Sequence, residues 1–369
     1  MLPRSLTILA LSLCALVAEE GELRDVIFPK NGPPIEAFEV VSEGADEVAF
    51  KMSSQAAPSK RKTREILRID YGGMREGPFK AASNILAQGK FAEAATAFRA
   101  VADGSKEWER VYGALLEGEA LERAGKFADA ARAFGVVGSG PAFEAHRMRL
   151  DASYRQGFAL ALAKSPEADK IIASLADLAK GRVGPPADVR ANAIKAAQAV
   201  AKDPNAKIDD LARKALFRTE EVDAWLHFNR WLADTYRKQG RAKEAARAVD
   251  SLLSAIEKDP NLVDPADIVD LRLLKGLVTA ESDPQGAIAE LLKIDLLPYG
   301  SVEQQGKARL TAAKLLLAEA KMLESDPSTA KDEKKAAFVV EQRATAKHLL
   351  AAAGGASESE AKQLLGTLK

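Results

Sequence analysis

One ten-residue segment occurs twice, almost unchanged, and constrains this chain more than any other feature. Gly89-Lys90-Phe91-Ala92-Glu93-Ala94-Ala95-Thr96-Ala97-Phe98 returns 36 residues later as Gly125-Lys126-Phe127-Ala128-Asp129-Ala130-Ala131-Arg132-Ala133-Phe134. A looser copy, Gly240-Arg241-Ala242-Lys243-Glu244-Ala245-Ala246-Arg247-Ala248-Val249, follows 115 residues after the second, about three units of 38. A lone helix pair cannot bury its apolar face, so self-similarity at this period marks a stack of helix pairs. Each residue type in the unit has a physical task. The glycine permits a tight turn between two helices. The aromatic two positions on packs back onto the first helix. Ala94 or Ala130 sits where the helices cross, and Phe98 or Phe134 fills the groove shared with the next unit.

The apolar period of 3.6 extends over residues 75–368. Beyond the two clear copies it predicts helices over 143–163 and 167–180, then 187–201 and 208–216, the latter two separated by Asp203-Pro204-Asn205. Further pairs are predicted over 221–238 with 241–257, 265–280 with 285–292, and 302–323 with 334–352. A closing helix is expected over 357–368, where Ser357 and Glu360 have capping-box spacing. About seven pairs result, and pairs stacked side by side generate a concave surface.

Residues 23–71 have a different period. Asp25–Lys30, Ile35–Val41, Glu47–Met52 and Glu65–Tyr71 read as four strands, with a turn at Asn31-Gly32 and a polar loop over Ser53–Thr63. Gly72-Gly73 marks the junction with the helical region. The run Ser59-Lys60-Arg61-Lys62-Thr63-Arg64 is the densest basic stretch. It reads either as a solvated hairpin tip or as a contact for an anionic surface such as lipid headgroups.

Residues 1–18 read as a secretory signal peptide: Arg4, then an apolar run from Leu6 to Val17, with cleavage after Ala18. A rival reading is lipoprotein processing at Cys14, the only cysteine. With the signal removed, the mature chain has no disulfide, thiolate ligand or cysteine nucleophile. No later segment has the length and apolarity of a membrane span. Lys+Arg and Asp+Glu both number 53, and this balance argues against a dedicated nucleic-acid binder, which needs a basic surface to displace counterions. The organisation expected is therefore signal peptide 1–18, β domain 19–73 and helical repeat domain 74–369.

The segments Gly89–Phe98 and Gly125–Phe134 resemble the tetratricopeptide repeat family. The second unit carries Gly118, Leu121, Gly125, Phe127, Ala130 and Phe134 at the family's positions; the third clear unit carries Leu232, Ala233, Tyr236, Gly240, Ala245 and Val249, with Ala242 in place of the aromatic. The resemblance implies a mainly α fold, a right-handed α-solenoid that binds a protein or peptide and has no intrinsic catalysis. The β region, from Asp25–Gly32 to Leu67–Tyr71, resembles a small SH3-like domain at the start of exported proteins of planctomycete-type bacteria.

The inventory of reactive groups points the same way. His146, His227 and His348 are scattered, and none has a His or Cys at helical spacing, so they read as partly exposed helix residues. Ser59-x-x-Lys62 and Ser328-x-x-Lys331 lack companion motifs. Gly135-x-x-Gly138-x-Gly140 follows a helix and ends in proline, so it reads as a repeat terminator and not as a phosphate cradle. Glu220-Glu221 and Asp209-Asp210 read as solvated helix faces or starts. No catalytic residue, metal or cofactor is expected. In tetratricopeptide stacks the first helix of each pair lines the concave face, which by register offers Tyr112, Leu115, Glu119 and Glu122, then His227, Arg230, Asp234 and Arg237. Trp225, Phe228 and Trp231 crowd the second of these helices, as interface anchors or as core. The expectation is an exported, non-enzymatic scaffold that binds a protein or peptide there. The alternative is a structural envelope protein that self-associates through its repeats and touches cell wall or membrane with its β domain.

Overall fold

A computed structural model of the chain describes residues 23–179, 187–218, 221–259, 262–263, 265–298 and 300–368. The signal-peptide and Cys14 readings lie outside the described residues.

The N-terminal region holds six strands where four were expected: β1 (Asp25–Pro29), β2 (Ile35–Ala37), β3 (Glu39–Glu43), β4 (Glu47–Lys51), β5 (Ser59–Lys62) and β6 (Ile66–Asp70). They form two three-stranded antiparallel sheets, ordered β2-β1-β6 and β3-β4-β5. Two physical causes account for the difference. The run from Ile35 to Val41 breaks at Phe38, so that β2 pairs with β1 while β3 pairs with β4. The expected polar loop contains β5, whose basic residues are accommodated by opposite charge: Lys60 lies across from Ala49 in register and reaches Glu47 at 2.9 Å. Alternate residues of β1 are buried, and Ile27, Val48, Phe50, Ile66, Ile69 and Tyr71 fill the space between the sheets.

Fifteen α-helices follow among the described residues. The first ten are α1 (Gly77–Ala87), α2 (Phe91–Ala102), α3 (Glu107–Arg123), α4 (Phe127–Gly138), α5 (Arg149–Leu162), α6 (Glu167–Ala179), α7 (Ala187–Lys202), α8 (Asp209–Lys214), α9 (Val222–Lys238) and α10 (Ala242–Lys258). They continue as α11 (Pro265–Thr279), α12 (Pro284–Lys293), α13 (Val302–Glu324), α14 (Glu333–Ala351) and α15 (Glu358–Thr367). Apart from α8 and α9, consecutive helices pack on one another, α2 against α3 and α4 against α5 most extensively. The three repeat copies share one turn. Gly89, Gly125 and Gly240 have φ of 74°, 73° and 70°, the left-handed region that an L side chain resists. In the first two copies the repeat's alanine and second aromatic are buried as the pattern requires: Ala94 with Phe98, and Ala130 with Phe134. Gly138 ends α4, in keeping with its reading as a terminator.

The expected helix over 143–163 is shorter than its pattern. Pro141–Phe143 forms a 3-10 turn, and α5 begins only at Arg149. The intervening backbone is taken by the β region: Gly44 and His146 form an antiparallel bridge, and Ala45 N donates to Ala145 O at 2.6 Å. His146 is therefore buried outside any helix, which corrects its reading as a partly exposed helix residue.

Apolar packing is continuous from α1 to α11, and a second cluster joins α11 to α15. Helices distant in sequence also meet. The α1–α2 turn lies against the start of α13, so that a Cβ on Gly89 would come within 2.6 Å of Glu303 Cγ. Arg123 at the end of α3 reaches Asp270 of α11 at 3.7 Å.

Candidate functional site

The residues expected to line an open concave face are largely bound to one another. Glu122 of α3 receives Arg155 Nη2 at 2.7 Å and the His227 ring at 2.9 Å. Burial raises the pKa of Glu122, but Arg155 and His227 outweigh this and hold it down at about 2. His227, packed edge-on against Phe158 and Tyr154, is itself shifted down by burial and by Arg155. Arg230 bridges to Asp267 at 2.9 Å and to Asp270 of α11, which also accepts from Gln304 of α13. Glu119 is half-buried beside Arg123. Asp234 and Arg237 pair locally at 2.8 Å and remain partly open, with Lys238 also on Asp234. Trp225 and Phe228 are core residues, while Trp231 stacks on Phe228 at 5.7 Å. Leu115 packs against the helical core.

Tyr112 belongs to a second cluster, at the seam between the β region and the helices. Glu43 of β3 accepts from Tyr71 at 2.5 Å, from Tyr112 at 3.0 Å and from Arg147 Nε. Arg147 also donates to the Tyr112 hydroxyl at 2.7 Å. Burial pushes the Glu43 carboxyl up, yet Arg147 and His146 bring its pKa below the ordinary value. Trp108 stacks on Tyr71 at 5.2 Å, so the seam is apolar on one side and ionic on the other.

The open space lies elsewhere. A cleft of about 420 Å³ separates the β3–β4 turn, the end of β5 and β6 from the starts of α5 and α9 and the side of α7. Its β wall carries Lys30, Lys62 and Arg64, which make no ion pair among the described residues, together with Asp46. Thr63 anchors that wall by donating its N–H to Asp46 O and its hydroxyl to Gly44 O, both at 2.8 Å. The helical wall carries Asp151, Arg190, Glu221 and Asp223. Arg190, 2% exposed, gives Nη2 to Asp151 at 2.7 Å and to Glu221 at 2.6 Å. Its Nε and Nη1 and Glu221 Oε2 have no hydrogen-bond partner among the described residues. Glu221 stands at the start of α9, as Asp209 and Asp210 do at the start of α8, which fits the reading as helix starts; Glu221 is, however, tied to Arg190 and is not a solvated face. Partial desolvation and the nearby Asp151 charge push Asp223 up; burial pushes Glu221 up against the pull of Arg190. A second, smaller cleft of about 340 Å³ between α1, α3, α11 and α13 includes Glu119, Arg123, Asp267 and Glu303.

Only part of the cleft carries a sequence signal, namely the basic run of β5. Arg190, Asp151 and Asp223 belong to three helices whose convergence no local pattern announces. Among the described residues no group of three or more histidine, cysteine, aspartate or glutamate side chains could hold a metal ion, and no helix is long and apolar enough to cross a membrane.

Fold and seam together define a mainly helical protein carrying a small six-stranded β region, joined to it through a buried ion pair. No protein-family model matches the chain, and no curated protein matches it.

Proposed function

We propose that this chain is an exported, non-enzymatic scaffold. In this reading, tetratricopeptide-like helix pairs form a right-handed solenoid that holds a protein or peptide partner, and the SH3-like β domain supplies one wall of the binding site. The observation that carries the reading is the common left-handed turn at Gly89, Gly125 and Gly240 within successive packed helix pairs. Identical turns at repeat spacing support a repeat family better than a coincidence of composition. The internal ion pairs of Glu122, His227 and Arg230 move the binding face away from the inner helix surfaces and towards the cleft at the β–helix seam.

Site-specific photo-cross-linking in cells that make the full chain tests this. A cross-linker at Leu67, in the cleft, captures a discrete partner, whereas one at Ala128, exposed on α4, does not. The Leu67 product disappears when Lys62→Glu and Arg64→Glu are introduced together. Equal products from both positions, or none from Leu67, would reject the cleft as the binding face.

One observation favours a second reading, self-association through the repeats as an envelope component. Met322 near the end of α13 and Phe338 and Val340 near the start of α14 are exposed, close to the turn joining those helices. Exposed apolar groups at the terminal pair are what an uncapped stack presents. Light scattering across a concentration series distinguishes the readings: a strict monomer counts against self-association.

A further inference from the structure

The seam cleft has a polarity that narrows what it can hold. Cations without an ion-pair partner among the described residues stand on the β wall, at Lys30, Lys62 and Arg64. Across from them, Asp151 and Glu221 share one guanidinium, that of Arg190, while Asp223 has no hydrogen-bond or ion-pair partner among the described residues. A purely anionic ligand would meet the carboxylates of the helical wall, and a purely cationic one would meet the lysines and arginine of the β wall. A ligand charged at both ends satisfies both walls.

The floor adds an independent observation. Arg190 retains N–H donors without acceptors, at Nε and Nη1, and Glu221 retains an acceptor without a donor, at Oε2. Buried orphan groups of this kind cost free energy unless something completes them. A group that accepts from arginine and donates to glutamate completes both, and a peptide unit offers a carbonyl and an N–H side by side. Both residues line the cleft. The volume, about 420 Å³, falls within the range of small-molecule sites and suits a few residues of peptide.

We propose that the cleft receives a short peptide bearing both a free ammonium and a free carboxylate, the ammonium towards Asp223 and Glu221 and the carboxylate towards Lys62 and Arg64. This rests on the reading of the chain as a binding scaffold and specifies the chemistry of its site. Such a site recognises chain ends and charge separation.

Isothermal titration calorimetry of the full mature chain tests the proposal with four probes: trialanine, N-acetyl-trialanine, trialanine amide and the doubly blocked peptide. Trialanine binds, and each single block weakens binding about tenfold by removing one ion pair, equivalent to about 1.4 kcal/mol. The doubly blocked peptide loses binding altogether. Asp223→Asn removes the discrimination against the N-acetyl form and keeps that against the amide; Lys62→Gln with Arg64→Gln does the reverse. Asp223, Lys62 and Arg64 are exposed, so an unchanged thermal midpoint verifies that these variants fold. No binding of trialanine up to about 5 mM, the weak limit of specific recognition, overturns the proposal and leaves water as the occupant of the floor. Equal binding of free and blocked peptides also overturns it. If the Leu67 cross-linker still captures a partner in either case, the scaffold reading survives without the end-recognition chemistry.

Discussion

Glu43→Ala should loosen the β region against the helices without unfolding the helical body. The Glu43 side chain is 2% exposed and that of Arg147 10%, and the two are joined directly. Alanine at position 43 leaves the Arg147 charge buried and removes the acceptor of two phenols, Tyr71 and Tyr112. Breaking one side of a buried pair in this way costs about 3–5 kcal/mol. Arg147→Met should cost a similar amount, since it strands the carboxylate. The double variant Glu43→Leu with Arg147→Met leaves no uncompensated charge and should cost much less than the sum, with a coupling energy of at least ~2 kcal/mol. Native-state hydrogen exchange read by mass spectrometry reports this region by region. Peptides covering β1 to β6 should lose protection by a factor on the order of a hundred or more in each single variant, while peptides covering α14 remain as in the parent. The seam is also held by the Ala45–Ala145 backbone bond and the Trp108–Tyr71 stack, so it loosens and does not dissociate. Additive single and double variants within about 0.5 kcal/mol, or an equal loss of protection in α14, would refute the assignment of the Glu43–Arg147 pair as the local clasp.

Acidification should destabilise the chain through three groups acting in one direction. Glu43 and Glu122 have folded pKa values below their unfolded ones, Glu122 at about 2, so their stabilisation is complete above the unfolded carboxylate pKa and is lost as pH falls through the folded one. His227 is shifted down, so the unfolded chain takes up its proton first and stability begins to fall below about pH 6.5. The urea midpoint should therefore drop between pH 7 and pH 5, and His227→Gln should flatten that drop. Gly125→Ala should cost about 1–2 kcal/mol in urea unfolding, because φ there is 73° although nothing obstructs a methyl group. Gly113→Ala should cost about 1–3 kcal/mol by overpacking, since its Cβ would lie 2.6 Å from the Ala102 backbone nitrogen and α2 and α3 would have to separate. Intact mass of the exported protein should begin at Glu19; a diacylglyceryl mass on Cys14 would replace the signal-peptide reading with the lipoprotein one.

The legible part of the sequence was its local chemistry. The glycine turns, the 36-residue copy and the 3.6 period place helix ends within a residue or two across most of the region from α7 to α15. Local pattern failed where distant segments set the structure. The delayed start of α5 follows from a backbone bridge to Gly44, more than a hundred residues away in sequence. The strand at Ser59–Lys62 has poor intrinsic β propensity and forms because β4 offers Glu47 across from it. Tyr112 fits the concave register of α3 equally well whether that face is open or covered; the β region covers it, through Glu43. The sign pattern on α3 carried one usable hint. Glu119, Glu122 and Arg123 lie on adjoining turns, and α9 offers His227 and Arg230 at matching spacing, as two charged faces that meet would require.

That meeting of faces bears directly on function. A repeat stack presents its inner helices to a partner only if those helices remain apart. Here α3, α9 and α11 are tied through Glu122–His227, Arg230–Asp270 and Arg123–Asp270, and α13 joins them through Gln304. A ligand entering among them would have to replace several partly buried ion pairs and supply equal compensation for each charge released, which is costly in a desolvated setting. The seam cleft imposes no such exchange. Among the described residues Lys30, Lys62 and Arg64 have no ion-pair partner, and Arg190 and Glu221 carry atoms without a hydrogen-bond partner. On the proposal that the chain holds a ligand, recognition at the seam would gain pairs, whereas recognition among these helices would only trade them.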